Sequence, residues 1–281
     1  MSKRVLIFEF LVKCLPLEIK KRLAIKVPII FILGTGRSGT TYLTDLLKSQ
    51  SEISVYPTEA NNLFHPKHYP YNRKRPAVPP IWCDGEKFSY DSSSNWNYLW
   101  LINLKAIFGV FVAITRGKIF VCKTVMLTFL LDKLAILFPE ARFVFLVRNG
   151  YSVVLSQYRK EYKKFQDPIY RQYLNNADAE VIQKQLAIFW NKSNMNVFEF
   201  VDRNKSKCLV IKYEDLVFDP KKWMSALGEF MNVNIDNNSK YESLINGFKN
   251  MNYKAEMDLL HTQKIVIAKE IEEAMDAFGY A

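Results

Sequence analysis

Metal-ligand spacing and disulfide spacing are both missing from this sequence: of its 281 residues only three are histidine and four are cysteine. Cys14, Cys83, Cys122 and Cys208 show no close pairing and sit mostly in apolar runs. They read as buried thiols of a reducing compartment rather than a disulfide framework. His65 and His68 stand close together but have no cysteine or acidic partner at zinc-ligand spacing, so no metal is expected. Repeats and low-complexity segments are absent too, and aromatics, at 14%, are too abundant for a disordered chain. Long apolar runs are interrupted. Residues 98–114 contain Asn103 and Lys105 and fall short of the about 20 residues that cross a bilayer, which predicts a buried helix. The opening 26 residues carry Glu9 and Lys13 inside their apolar run and lack a small-residue cleavage site, against a signal peptide. A soluble, cytoplasmic chain is expected.

Acidic residues are outnumbered, 28 Asp plus Glu against 39 Lys plus Arg, for a net charge of +11. Seven of the basic residues (Lys3, Arg4, Lys13, Lys20, Lys21, Arg22, Lys26) fall in residues 1–26, interleaved with Leu, Ile and Phe. Such an extension either packs its apolar side on the domain or lies on the anionic inner face of a membrane. Residues 27–281 read as one decorated domain.

From Pro28 onward the pattern is α/β. Pro-Ile-Ile-Phe-Ile-Leu is a continuous apolar run of strand length, followed by a glycine turn and a helical stretch at 40–48. Further short strands fit 53–56, 119–122, 143–147 and 208–211, with helical periodicity between most of them, and helices fit 221–231 and 265–278. Buried strands alternating with helices imply a parallel sheet flanked by helices on both faces. Residues 62–94, with five prolines and the Arg73-Lys74-Arg75 run, read as a long functional loop without regular structure.

The strongest chemical signal is Gly34-Thr35-Gly36-Arg37-Ser38-Gly39-Thr40-Thr41, where a strand ends and a helix begins. Free backbone N–H groups and the helix dipole converge there on an anion. Against the triphosphate pattern GxxxxGK[ST], Gly34, Gly39 and Thr41 are in place, but Thr40 stands where the lysine belongs. The strand at 143–147 is followed by Arg148 rather than an acidic magnesium ligand. Both departures point to a phosphate-bearing nucleotide handled without magnesium. Two rivals remain open: a P-loop small-molecule kinase, and a non-enzymatic basic protein that binds nucleic acid or membrane.

GTGRSGTTYL resembles the 5′-phosphosulfate loop of the PAPS-dependent sulfotransferases, and FPEARFVFLVRNGYSVVLS resembles their 3′-phosphate segment. Val121-Cys122-Lys123-Thr124 and Ile211-Lys212-Tyr213-Glu214-Asp215-Leu216 are similar to two further family stretches, so the resemblance spans 28–280. It implies the P-loop NTPase-like sulfotransferase fold, and Arg37 in place of lysine looks like the Golgi-type and bacterial branch. The implied reaction moves a sulfuryl group from PAPS to a hydroxyl or amine of a glycan, lipid or other acceptor, leaving PAP, with neither metal nor nucleic acid involved. By that resemblance Gly36, Arg37, Ser38, Gly39, Thr40 and Thr41 hold the 5′-phosphosulfate, and Arg148 and Ser156 the 3′-phosphate. Tyr213 lies near the nucleotide, Lys254 supplies a late basic contact, and Arg37 and Lys123 neutralise charge at the reacting centre. Glu59, just after the second strand, is the expected base, with His65 and His68 as substitutes.

Overall fold

A computed structural model describes residues 3–64, 81–125, 127–165, 178–247 and 261–280. His65, His68, the Arg73-Lys74-Arg75 run, Tyr170, Tyr173 and Lys254 lie outside them.

Two helices, α1 (Lys3–Lys13) and α2 (Leu17–Leu23), precede the first strand, β1 (Ile29–Leu33). Then come α3 (Thr40–Leu47), β2 (Ile53–Val55), α4 (Asn61–Phe64), α5 (Gly85–Ser93), α6 (Tyr98–Thr115) and β3 (Ile119–Lys123). The chain continues through α7 (Leu131–Leu137), β4 (Arg142–Val147), α8 (Gly150–Phe165), α9 (Ala179–Arg203) and β5 (Cys208–Lys212). It closes with α10 (Tyr213–Phe218), α11 (Pro220–Met231), α12 (Ser239–Gly247) and α13 (His261–Ala277).

The strands form one parallel sheet in the order β2-β3-β1-β4-β5. Alternating side chains explain the continuous apolar runs. Ile29, Phe31 and Leu33 join Phe120, Phe143 and Phe145 in a core shared with α6, α7 and α9, while Ile30 and Ile32 face α3, α10 and α11 beside Val144 and Leu146. A third cluster, with Trp190 and Val147, joins α8, α9 and α13. Each strand is about as long as the sequence pattern predicts. Because β1 lies between β3 and β4, the strand order reverses at its C-terminal end, which opens the crevice where parallel sheets bind ligands.

Three local expectations need correction. Residues 62–94 are not free of regular structure. α4 and α5 both fall there in whole or part, and α5 starts where the Asp84 carboxylate accepts the Lys87 N–H (2.9 Å). The cysteines are all free thiols, but only Cys122 is buried; Cys14 is exposed. The helix expected through 98–114 forms as α6, yet it is buried only in part: packed between the sheet and the helices α1 and α2, it leaves Tyr98, Leu99 and Ile114 exposed. By length and composition α6 also satisfies the requirement for a membrane span.

The end of α2 meets α6 at Gly109, where a Cβ would lie 1.9 Å from the Leu23 carbonyl oxygen, and the Ile25 N–H donates to the Lys105 carbonyl (2.9 Å). Gly109→Ala should therefore destabilise the fold by about 1–3 kcal/mol, despite alanine's better helix propensity. Chemical denaturation checks this, and an unchanged or raised stability would mean that the end of α2 does not pack there.

Candidate functional site

The loop between β1 and α3 is shaped by what cannot fit in it. Gly39 has φ 92°, and a Cβ there would sit 2.3 Å from the Tyr213 ring; at Gly34 a Cβ would meet the Leu146 carbonyl oxygen at 2.5 Å. Glycine is thus required by close approach to β4 and to the residue after β5. Inside the loop the buried Thr35 and Ser38 hydroxyls lie 2.7 Å apart, and the Ser38 hydroxyl and N–H both reach the Thr35 carbonyl (2.7 and 3.2 Å). Ser38, expected as a ligand, shapes the turn with its hydroxyl. Thr40 is buried at the start of α3, while Thr41 is exposed. The first turn of any helix leaves its N–H groups without intrahelical acceptors, so this end presents donors to an anion.

Two groups of predicted residues come together around the loop. On the β3 side, Lys123 Nζ donates to Thr41 Oγ1 (3.1 Å) and pairs with Glu59 Oε1 (3.2 Å). The second Glu59 oxygen accepts from Asn61 Nδ2 (3.0 Å), whose own oxygen accepts from Thr124 Oγ1 (3.3 Å). The lysine is nearly buried and the carboxylate more open, their side chains 11% and 39% exposed. Cation and candidate base are thus held side by side, with the base facing the solvent from which an acceptor would arrive.

On the β4 side, Arg37 Nε donates to Ser156 Oγ (3.0 Å), and Arg148 donates to the Arg37 carbonyl (2.9 Å) while lying 4.4 Å from the centre of the Tyr213 ring. Arg37 has φ 74°, and its guanidinium rests on the residue expected at the 3′-phosphate rather than beside Lys123. Burial lowers the Arg148 pKa from the ordinary guanidinium value, with Arg37 acting in the same direction and Tyr213 and Glu214 opposing. Burial likewise raises the Tyr213 phenol. Two like charges in a partly desolvated site suit an anionic guest. Asn149 caps the next helix, its side chain accepting the Ser152 N–H (3.2 Å), so Arg148 sits immediately before a second helix start.

Other residues of the site escaped the sequence reading. Glu214 accepts the Asn149 N–H (3.1 Å), and its other oxygen lies 2.7 Å from the Tyr280 hydroxyl, which also reaches the Val147 carbonyl (3.2 Å). Burial, followed by this carboxylate, raises the Tyr280 phenol well above its usual value. Gly279, with φ 63°, turns the chain beyond α13 so that Tyr280 can reach β4, and Lys212 Nζ donates to the Gly279 carbonyl (2.6 Å). The signal was adjacency: Asn61 and Thr124 flank predicted residues, and Glu214 follows Tyr213. The closing Ala277-Phe278-Gly279-Tyr280 resembles the family as well, but that likeness assigned Tyr280 no role.

Comparison with known proteins identifies the family. The profile of a sulfotransferase family matches residues 28–237. The chain is 26% identical over 214 residues to protein-tyrosine sulfotransferase 1 of Danio rerio, a match covering 74% of this chain and 54% of that protein. It is 25% identical over 222 residues to protein-tyrosine sulfotransferase of Drosophila melanogaster, covering 74% and 38%. The chain thus spans about half or less of these curated relatives' length. Among solved structures, the fold is similar to the sulfotransferase domain from the curacin biosynthetic pathway (TM-score 0.56, 19% identity, covering 91% of this chain and 99% of that one). It is also similar to a sulfotransferase from Alicyclobacillus acidocaldarius (TM-score 0.55, 14% identity, covering 91% and 96%). With its profile matched over well more than half its length and its helix-flanked parallel sheet shared with such proteins, the chain belongs to the sulfotransferase family.

Proposed function

We propose that this chain transfers a sulfuryl group from PAPS to the hydroxyl of a glycan or lipid acceptor, on a P-loop type of nucleotide fold and without metal. The observation that carries the reading is the convergence of two cation-bearing anion seats on one glycine loop: Lys123 with Thr41 on one side, Arg148 and Arg37 with Ser156 on the other. A nucleotide phosphorylated at both 5′ and 3′ positions matches two such seats. Arg37, where soluble family members have lysine, supports a Golgi-type or bacterial branch.

Bound there, PAPS supplies the sulfuryl group and leaves as PAP. The residues divide the remaining work. Backbone N–H groups at Gly36, Gly39 and Thr40, with the Thr40 and Thr41 hydroxyls, seat the 5′-phosphate in a turn that Ser38 shapes; Arg148 and Ser156 seat the 3′-phosphate, with Tyr213 beneath Arg148 and Lys254 as a later contact. Glu59 takes the proton of the acceptor hydroxyl at its carboxylate as that oxygen bonds to sulfur. The breaking sulfur–oxygen bond leaves charge on the phosphate, which Lys123 neutralises from its place beside Glu59 and Arg37 from the 3′ side. Residues 27–281 form the transferase domain. Residues 1–26 form an extension that holds it peripherally at a membrane's cytoplasmic face, which suits a glycan or lipid acceptor.

Three measurements test the reading. PAP is expected to raise the melting temperature more than AMP or ATP, and Arg148→Ala to weaken PAP by about 10- to 100-fold, to the level of AMP; equal shifts from PAP and AMP in the unaltered chain would remove the 3′ seat. Glu59→Gln should lower kcat by about 100-fold or more with PAP affinity kept, and a kcat within a few-fold of normal would reassign the base. Tyr280→Phe, which releases Glu214, should weaken PAP about fivefold while leaving AMP unchanged, the loss of roughly one hydrogen bond's worth of positioning. Equal loss for both nucleotides would make Tyr280 a purely structural residue.

A further inference from the structure

A helix that only packs on a domain needs one apolar stripe, and α1 has two. At about 100° per residue, Val5, Phe8, Glu9 and Val12 share one side. Val5, Phe8 and Val12 pack on the main core, and Glu9, 2% exposed, accepts the Tyr56 hydroxyl (2.5 Å). Ile7, Phe10, Leu11 and Cys14 share the opposite side, and there Ile7, Phe10 and Leu11 are 59%, 66% and 60% exposed. Leu17 and Ile19 of α2 and Tyr98 and Leu99 in the first turn of α6 are exposed as well, with Lys21 in electrostatic reach of Tyr98.

Charge selects what covers this face. The acids of residues 1–26 are Glu9, which is buried, and Glu18, which pairs with Lys21 (2.8 Å). Lys13, Arg22 and Lys26 are exposed. Exposed large apolar side chains on a segment whose exposed cations outnumber its acids suit a negatively charged lipid surface, whereas a second copy of the same segment would bring like charges together.

We propose that the outward face of α1, with the basic α2, docks the chain on an anionic bilayer leaflet, Ile7, Phe10 and Leu11 entering the acyl boundary and Lys13, Arg22 and Lys26 facing the lipid phosphates. This rests on the membrane contact proposed for residues 1–26 and gives it a surface and a lipid class.

Co-sedimentation of the full chain with vesicles of phosphatidylcholine alone, and of phosphatidylcholine mixed with phosphatidylglycerol, tests the docking. The chain is expected to partition onto the mixed vesicles, to stay in solution with phosphatidylcholine alone, and to be released by added salt. The combined variant I7S/F10S/L11S should weaken that partition by about tenfold or more, and K13Q/R22Q/K26Q by about tenfold or more through lost attraction. Both should keep the unfolding midpoint, because the substituted side chains face solvent. Failure to partition, equal binding to both vesicle types, or binding that survives either set of substitutions overturns the proposal. So does self-association of the free chain that I7S/F10S/L11S abolishes while vesicles are ignored. No readout involves donor or acceptor, so failure here is separable from failure of sulfuryl transfer.

Discussion

The site depends on the contact between the loop backbone at Gly39 and the ring of Tyr213. No side chain fits between them, since a Cβ would meet the ring at 2.3 Å. The same ring lies under the Arg148 guanidinium, so one aromatic side chain sets the distance between the loop and the second cationic seat. The register of the sheet delivers that ring: β4 pairs with β5 so that Val147 lies beside Lys212, which brings Arg148 and Tyr213 out of neighbouring strands at the same edge. Moving either strand by one residue would turn the two side chains to opposite faces.

The two sides of the loop differ in how their charge is held. Lys123 and Glu59 neutralise each other, which keeps a nearly buried ammonium tolerable in the absence of a ligand. Arg37 donates to a serine hydroxyl and Arg148 to a backbone carbonyl, with Tyr213 and Glu214 offsetting part of their mutual repulsion. In the proposed reading the arginine side grips the nucleotide, and the lysine side serves the chemistry beside a carboxylate.

Support for the grip comes from far along the chain. Tyr280 and Glu214 are 66 residues apart, yet their contact braces the Asn149 N–H directly after Arg148. A turn at Gly279, tied by Lys212, makes this reach geometrically feasible. The last described helix thus packs on α8 and α9 and, through the residue beyond its end, steadies the strand end that carries the arginine.

Much of this architecture was legible in the amino-acid order. Apolar runs of strand length mark the five strands within a residue or two, because a strand covered on both faces has no polar side to interrupt the run. Gly34 to Thr41, Lys123 and Arg148 announce themselves by residue type at strand ends, where local chain geometry alone aims them at one edge, and Ser156 lies about two turns into the helix after Arg148. Glu59 needs only its place after β2. Packing and pairing decided the rest. That Arg37 turns to Ser156, that Glu59 meets Lys123, and that α1 keeps a second apolar face in water all depend on contacts between residues distant in sequence. Such contacts are fixed by strand register and by which of α1's two apolar sides finds the core, and local periodicity decides neither.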